Sequence, residues 1–537
     1  MKNKSSSLFF FFPFLIAVYP VLTLMAHNAA EMPLVDSLRS LFLTIILCAL
    51  LNISILLLIK NPFKAALLTT LILVLFFSYG HLNLLLRNWN IFAISLGRHR
   101  VLIPLYTFIL VIGATLILVS KRELTFLSRF LNVFSVVLLI FPMYQIGIYW
   151  IQDSIAQRGQ ENNPSTSKSV FLSPNQIPRD VYYILTDGYP RHDFIQRFLN
   201  YDNSDFLKQL SARGFYVAEC SQSNYTDTRF AMASTLNMVY LDNGTGASEV
   251  VFPGAILDNM IRSGIVQQNF SALDYQIITF ESGYKWLRWQ DTDVHLDPAV
   301  ERSRRTLSGI RINDFEYLLL NTTAAKFLLD LPFVLNPTEA NRIAEILNSP
   351  RASHRDRVFF ALDYLPEMSS AKDKPVFVYG HIIFPHPPFI VNADGKALRN
   401  SPENELAGYG DQIAYLDTRL IEIIDQLIAN TDPDPIIIIQ GDHGATIEYK
   451  ERDIDLANRL GILNAYYLPA GEESLGEKNG DPTNSLYPRI TPVNTFRLIF
   501  DQYFNGQYGL LPDKSIIGRQ SPFTELPCPT KPLNIGE

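Results

Sequence analysis

The chain has 537 residues, 48% hydrophobic and only 18% charged, with a formal net charge of −7. That length exceeds one ordinary domain, and so much apolar residue against so little charge points to a membrane protein. The first 155 residues carry eleven Lys/Arg against four Asp/Glu, which leaves the remainder at −14, and an acidic remainder argues against nucleic acid as a partner.

In chain order the first elements are five apolar runs: 8–26, 41–59, 66–80 (continuing to Leu86), 101–119 and 130–151. A hydrocarbon core roughly 30 Å thick needs about 20 apolar residues of helix, because it offers backbone groups no other hydrogen-bond partner. One secretory signal peptide explains one run, not five. The reading is a five-helix transmembrane module over 1–151. With the N-terminus inside, Lys2, Lys4, Lys60, Lys64, Lys121, Arg122 and Arg129 are cytoplasmic, against Arg39, Arg87, Arg98 and Arg100 outside. The stretch "RNWNIFAISLGRHR" (87–100) puts three arginines on the side the rule disfavours. A polar connector follows over 152–178, and everything after it, 179–537, is then extracytoplasmic.

Beyond the connector, short apolar strands alternate with amphipathic helices. Strands are predicted at "DVYYILTDG" (180–188), "FYVAEC" (215–220), "QIITFES" (276–282), "PVFVYGHI" (375–382) and "PIIIIQGDHG" (435–444). Helices are predicted over 205–214, 228–241, 255–270, 355–364 and 409–429. Strands apolar on both faces and separated by helices indicate an α/β domain with a largely parallel central sheet covered by helices. Ligands of such sheets bind beyond the C-terminal strand ends. Three predicted ends carry polar clusters: Asp187; Asp442 with His443; and His381 with His386 five residues on. Carboxylates with imidazole and no thiolate suit one divalent ion, zinc or manganese first, with magnesium or calcium as further options. Of the cysteines, Cys48 lies in an apolar run, and Cys220 and Cys528 could pair.

A nucleophile belongs near a helix start, where free N–H groups and the helix dipole stabilise an anion. "SQSNYTDTRFAMASTLNMVY" (221–240) puts Thr228 at such a junction, where it is equally suited to cap the helix; Ser223, Thr226 and Ser234 are rival hydroxyls. "ESGYKWLRWQDTD" (281–293) offers Lys285 and Arg288 to a phosphate, and Arg452 follows the Asp-His pair; each reads equally well as a solvated charge.

The order of these features, with "LTDG", "NYTDTRFAMASTLN" and "GDHG", resembles membrane-anchored members of the alkaline phosphatase/sulfatase superfamily, such as lipoteichoic acid synthase and lipid A phosphoethanolamine transferase. The resemblance implies that Asp187, Thr228, Asp442 and His443 hold the metal and that Thr228 is the nucleophile. It matches His381 and His386 to histidines that bind substrate phosphate or a second metal, and imidazole chemistry makes either one the candidate acid that protonates the leaving oxygen. The implied reaction passes a phosphoethanolamine- or phosphoglycerol-type headgroup from a membrane phospholipid to a cell-envelope glycan or lipid through a phosphothreonine. The implied setting is a multi-pass monomer in a bacterial inner membrane, and the alternatives are a membrane-anchored phosphodiesterase, phosphatase or sulfatase-like hydrolase, or a non-catalytic membrane protein. Three departures are visible. Asp187 stands where those transferases have Glu, "ATIEYKERDIDLANRL" (445–460) lacks the histidine that completes a second metal site, and Ala231 replaces a frequent Ser. The Cys/Ser-x-Pro-x-Arg pentapeptide of formylglycine sulfatases does not occur, which argues against ordinary sulfate-ester hydrolysis.

Overall fold

The computed structural model describes residues 10–523 apart from 88, 92–93, 121–124, 162–171, 175–176, 200, 242–253, 306–311, 336–349, 370–373, 399–401, 403, 446–458, 470–484 and 517–521. The chain forms two compact units: Met1–Gln152 with Ile310–Ser353, and Asp153–Gly309 with His354–Glu537. The sequence reading divides the chain into 1–151, 152–178 and 179–537, whereas here the second unit begins at Asp153 and the excursion 310–353 belongs to the first. Of this excursion the described residues 312–335 pack among the apolar helices.

The first unit contains α1 (Phe12–His27), α2 (Val35–Ile59), α3 (Pro62–Leu86), α4 (His99–Val119) and most of α5 (Thr125–Glu161). Four of these, α2, α3, α4 and Phe126–Ile155 within α5, are long and apolar enough to cross a membrane, while α1 is a shorter apolar helix. Asn61 starts α3 by accepting from the N–H groups of Phe63 and Lys64, with Pro62 following where its missing N–H costs nothing. Ala17 and Val21 of α1, Cys48 of α2, and Leu73 and Phe77 of α3 form one core with Phe315 and Leu319 of the excursion's helix Asp314–Thr322. That helix opens with a capping box between Asn313 and Glu316. Glu316 is ion-paired with Arg39, and Asn313 Nδ2 donates to Asp36 O at 2.9 Å.

The second unit is built on a seven-stranded sheet of β1 (Val181–Thr186), β2 (Tyr216–Val217), β3 (Gln276–Phe280), β4 (Val294–Leu296), β5 (Val376–Ile382), β6 (Ile436–Gln440) and β7 (Asn464–Tyr467), in the order β2-β7-β6-β1-β5-β3-β4. The neighbours from β6 to β4 pair in parallel, and β7 runs antiparallel to β6 and β2. Two apolar clusters share alternate residues of the central strands: Tyr183, Leu185, Ile436 and Ile438 in one, Tyr182, Ile184, Ile437 and Ile439 in the other. Burial on both faces is why "IIII" shows no alternation.

Three sequence expectations change. The helix expected over 255–270 is two, Gly254–Arg262 and Ile265–Ala272. The strand over 215–220 shrinks to Tyr216–Val217, and β4 and β7 were not anticipated. The register sets Leu185 beside both His381 and Gln440, so β1, β5 and β6 end level with one another.

Candidate active site

Asp187 follows the last residue of β1, Asp442 and His443 follow β6 after one glycine, and His381 is the penultimate residue of β5. Four positions scattered over more than 250 residues of chain therefore meet at one end of the sheet. Asp187, Asp442 and His443 are buried, with ligand atoms all within 4.8 Å of one another. His443 Nε2 lies 3.4 Å from Asp442 Oδ2 and 3.8 Å from Asp187 Oδ1, and His381 Nε2 lies 3.4 Å from Asp187 Oδ2.

Bonds behind the cluster aim these groups. His443 Nδ1–H donates to Gly444 O at 2.7 Å, which leaves Nε2 with its lone pair towards the carboxylates. Gly188 N–H donates to Asp442 Oδ1 at 3.0 Å and commits that oxygen. Gly188 has φ +75°, and a Cβ there would lie 2.6 Å from Tyr409 Oη, so only glycine fits. The same hydroxyl donates to Gly188 O at 2.6 Å. Gly441 is a close approach, since a Cβ there would meet Tyr189 O at 2.6 Å.

Asp187 Oδ1, Asp442 Oδ2 and His381 Nε2 are buried without a hydrogen-bond partner. Buried carboxylate oxygens left unpaired are costly. The two carboxylate oxygens, with His443 beside them in one cluster, fit a divalent cation. Burial works against ionisation of Asp187, but His386, His381 and His443 outweigh it and hold the carboxyl well below the usual carboxylate range. Burial likewise disfavours charge on His443, and Asp442 and Asp187 overcome it, raising its pKa above that of free imidazole.

Thr228 is the first residue of the helix Thr228–Asn237. The cap is Asp227, whose side chain accepts from Arg229 N–H, so the capping role that Thr228 could have taken is filled by its neighbour. The Thr228 hydroxyl instead lies 3.0 Å from His443 Nε2. Of its rivals, Ser223 Oγ is engaged with Tyr225 O at 2.7 Å and Asp442 O at 2.5 Å, and Ser234 Oγ donates to Val239 O at 2.6 Å.

His386 is half-buried; its backbone N–H donates to Asp187 O, its Nδ1–H to Pro387 O at 2.6 Å, and its ring lies 6.4 Å from that of His443. The structure places Arg288 against Glu281, an ion pair at the end of β3, and Lys285 on the single turn Lys285–Leu287. Arg452 lies outside the described residues. Cys220 is disulfide-bonded and Cys48 free; Cys528 lies outside the described residues. Tyr409 and Tyr379, whose hydroxyl lies 3.2 Å from His381 Nδ1, support the site without a sequence signal that singles them out.

The apolar helices and the α/β unit with an acid and imidazole cluster at its strand ends define the class: the chain resembles the membrane-anchored members of the alkaline phosphatase/sulfatase superfamily. Residues 332–486, which include His381, His386, Asp442 and His443, match the sulfatase family model. Among solved structures, the chain is similar to the integral membrane lipooligosaccharide phosphoethanolamine transferase A of Neisseria meningitidis, with 12% identity, 93% of this chain and 96% of that one covered, and a TM-score of 0.38. The C-terminal periplasmic domain of EptC from Escherichia coli gives 10% identity, 68% and 97% coverage and a TM-score of 0.41. The lipoteichoic acid synthase LtaP of Listeria monocytogenes gives 12%, 55% and 66%, and 0.29. No curated protein matches the chain.

Proposed function

We propose that the protein transfers a phosphoryl-linked headgroup, of phosphoethanolamine or phosphoglycerol type, from a membrane phospholipid to a cell-envelope glycan or lipid through a phosphothreonine on Thr228. One observation carries the reading: the Thr228 hydroxyl sits at a helix N-terminus 3.0 Å from His443 Nε2, beside buried carboxylate oxygens of Asp187 and Asp442 that have no other partner. Asp187, Asp442, His443 and Thr228 are the residues that would hold the cation. When bound, it supplies positive charge that favours the ionised Thr228 hydroxyl and offsets charge on the phosphoryl oxygens.

Thr228 Oγ1 attacks phosphorus, an O–P bond forms, and the bond to the diacylglycerol oxygen breaks. That oxygen needs a proton. His386 suits the task better than His381, because it is half-buried and its Nδ1 is fixed on Pro387 O, leaving Nε2 for exchange. His381 is buried between Tyr379 and Asp187, where it orients the carboxylate. In the second displacement, neutral His386 takes the proton of the acceptor hydroxyl as its oxygen bonds phosphorus and the bond to Thr228 Oγ1 breaks.

The same reading puts five spans in a bacterial inner membrane with the N-terminus inside and the α/β unit outside. The disulfide at Cys220 supports an oxidising compartment for that unit.

Intact mass spectrometry of the full chain from its host membrane tests the mechanism. The expected result is a headgroup-phosphate increment on Thr228, lost together with turnover in Thr228→Ala. Full turnover in that variant would assign the nucleophile elsewhere, and phosphate release without an acceptor product would make the enzyme a hydrolase.

A further inference from the structure

Within the first unit, α1, α3 and α5 enclose a cavity of about 490 Å³. Its lining is graded along the helices. Ile16, Leu73 and Leu138 line the apolar depth; Thr23, His27 and His81 line it towards the C-terminal ends of α1 and α3. No Asp, Glu, Lys or Arg is among the described lining residues.

We infer that this cavity is a binding site for one acyl chain of a membrane phospholipid, with the headgroup held at the mouth by His27 and His81. The inference rests on the proposed transfer reaction for its purpose, which is to present the donor, but not for its chemistry. Three observations carry it.

The first is length. Ile16 to His27 is about 16 Å of helix at 1.5 Å per residue, and one leaflet of a core roughly 30 Å thick is about 15 Å. The cavity thus has the depth of a single chain in one leaflet. The second is the mouth. His27 Nδ1 is bonded to Thr23 O at 2.8 Å, which leaves Nε2 for a ligand. That nitrogen donates to a phosphate oxygen when protonated and accepts from an ammonium or hydroxyl when neutral, and phospholipid headgroups offer both partners. The third is Thr23, whose Oγ1 is buried and has no hydrogen-bond partner. Among membrane helices such a hydroxyl is costly unless a ligand completes it. A glycerol or ester oxygen of the lipid, one step below the phosphate, meets that need.

The experiment uses the full chain in nanodiscs of phosphatidylethanolamine and phosphatidylglycerol, with a trace of phosphatidylethanolamine carrying a diazirine in its acyl chain. After irradiation, labelled peptides are mapped by mass spectrometry. Labelling at Leu24, Phe77 and Leu138 is expected to exceed that at the outward-facing Leu57 and Phe108 at least fivefold. Thr23→Trp or Val74→Trp, which fill the cavity from different helices, should each reduce the excess at least fivefold. Equal labelling of cavity and outward positions in the wild-type chain overturns the site whatever the variants do. So does an excess that both substitutions leave intact in folded protein. Thr228→Ala separates the two readings, since it should abolish turnover and leave labelling unchanged. Cavity labelling without any Thr228 adduct keeps the lipid site and removes the transfer reaction. A Thr228 adduct without cavity labelling does the reverse.

Discussion

Single residues of the candidate site read clearly from sequence where a strand stops being apolar. "IIIIQGDH" switches within one residue, and Asp442 and His443 stand out for that reason. Asp187 and His381 stand out similarly, and their convergence depends only on parallel strands ending level. The groups that aim them were not legible. Tyr409 lies on a long helix, Glu405–Asn430, as one apolar position among many, and its bond to Gly188 O joins residues 221 apart. Removing that hydroxyl should loosen the turn carrying Asp187 and the N–H that fixes Asp442. Tyr409→Phe is expected to weaken divalent-metal binding about tenfold, within the usual range for groups behind metal ligands. Calorimetric metal titration checks it, and an unchanged affinity would show that the turn holds its shape without the hydroxyl.

Among elements, the strand ends and connections decide what remained hidden. β4 has three residues and β7 begins with Asn464, so neither is long enough to display a period. The basic and aromatic stretch 281–293 takes its local order from one carboxylate, which the sequence does not single out. In the fold Glu281, at the end of β3, receives Arg288 and lies 3.2 Å from His295 Nε2 of β4. Burial disfavours the ionised Glu281, but His295 and Arg288 prevail and lower its pKa to about 2. A carboxyl whose pKa is lower folded than unfolded stabilises the fold above its unfolded pKa, and that contribution fades as pH falls from about 4.5 towards 2. Glu281→Gln should therefore cost about 2 kcal/mol at neutral pH and much less near pH 3, discounting for the partly exposed Arg288. Denaturant unfolding at the two pH values measures this; an equal loss at both would assign the effect to packing.

The excursion 310–353 was hidden for another reason: "DFEYLLLNT" looks like any half-buried helix, and its partners lie about 280 residues earlier. It gives Arg39 a partner, Glu316, whose side chain is only 10% exposed. Arg39→Ala should destabilise the helical unit by about 2–3 kcal/mol by leaving that carboxylate unpaired, and Arg39→Leu with Glu316→Gln should recover more than half of the loss. Thermal unfolding of the full chain in detergent distinguishes this coupling from two independent losses.

For the whole molecule, the excursion also bears on topology. It touches Met25 and Ala29 around the end of α1, Arg39 near the start of α2, Phe76 towards the end of α3 and His99 at the start of α4. With helices alternating in direction, these are all ends of one face. The opposite face carries Lys60 after α2 and Lys64 in the first turn of α3, and in the proposed orientation that face is the cytoplasmic one. His99 Nε2 meets Asp330 Oδ2 at 2.9 Å, a further contact of this face with the excursion. The orientation then predicts a labelling pattern. In a Cys48→Ser background, Arg98→Cys should react with a membrane-impermeant maleimide applied to spheroplasts, and Asn61→Cys should react only after the membrane is opened. Both positions are exposed, so burial does not confound the comparison. The reverse pattern would put the α/β unit in the cytoplasm, where the disulfide at Cys220 would not persist and an envelope acceptor would be out of reach.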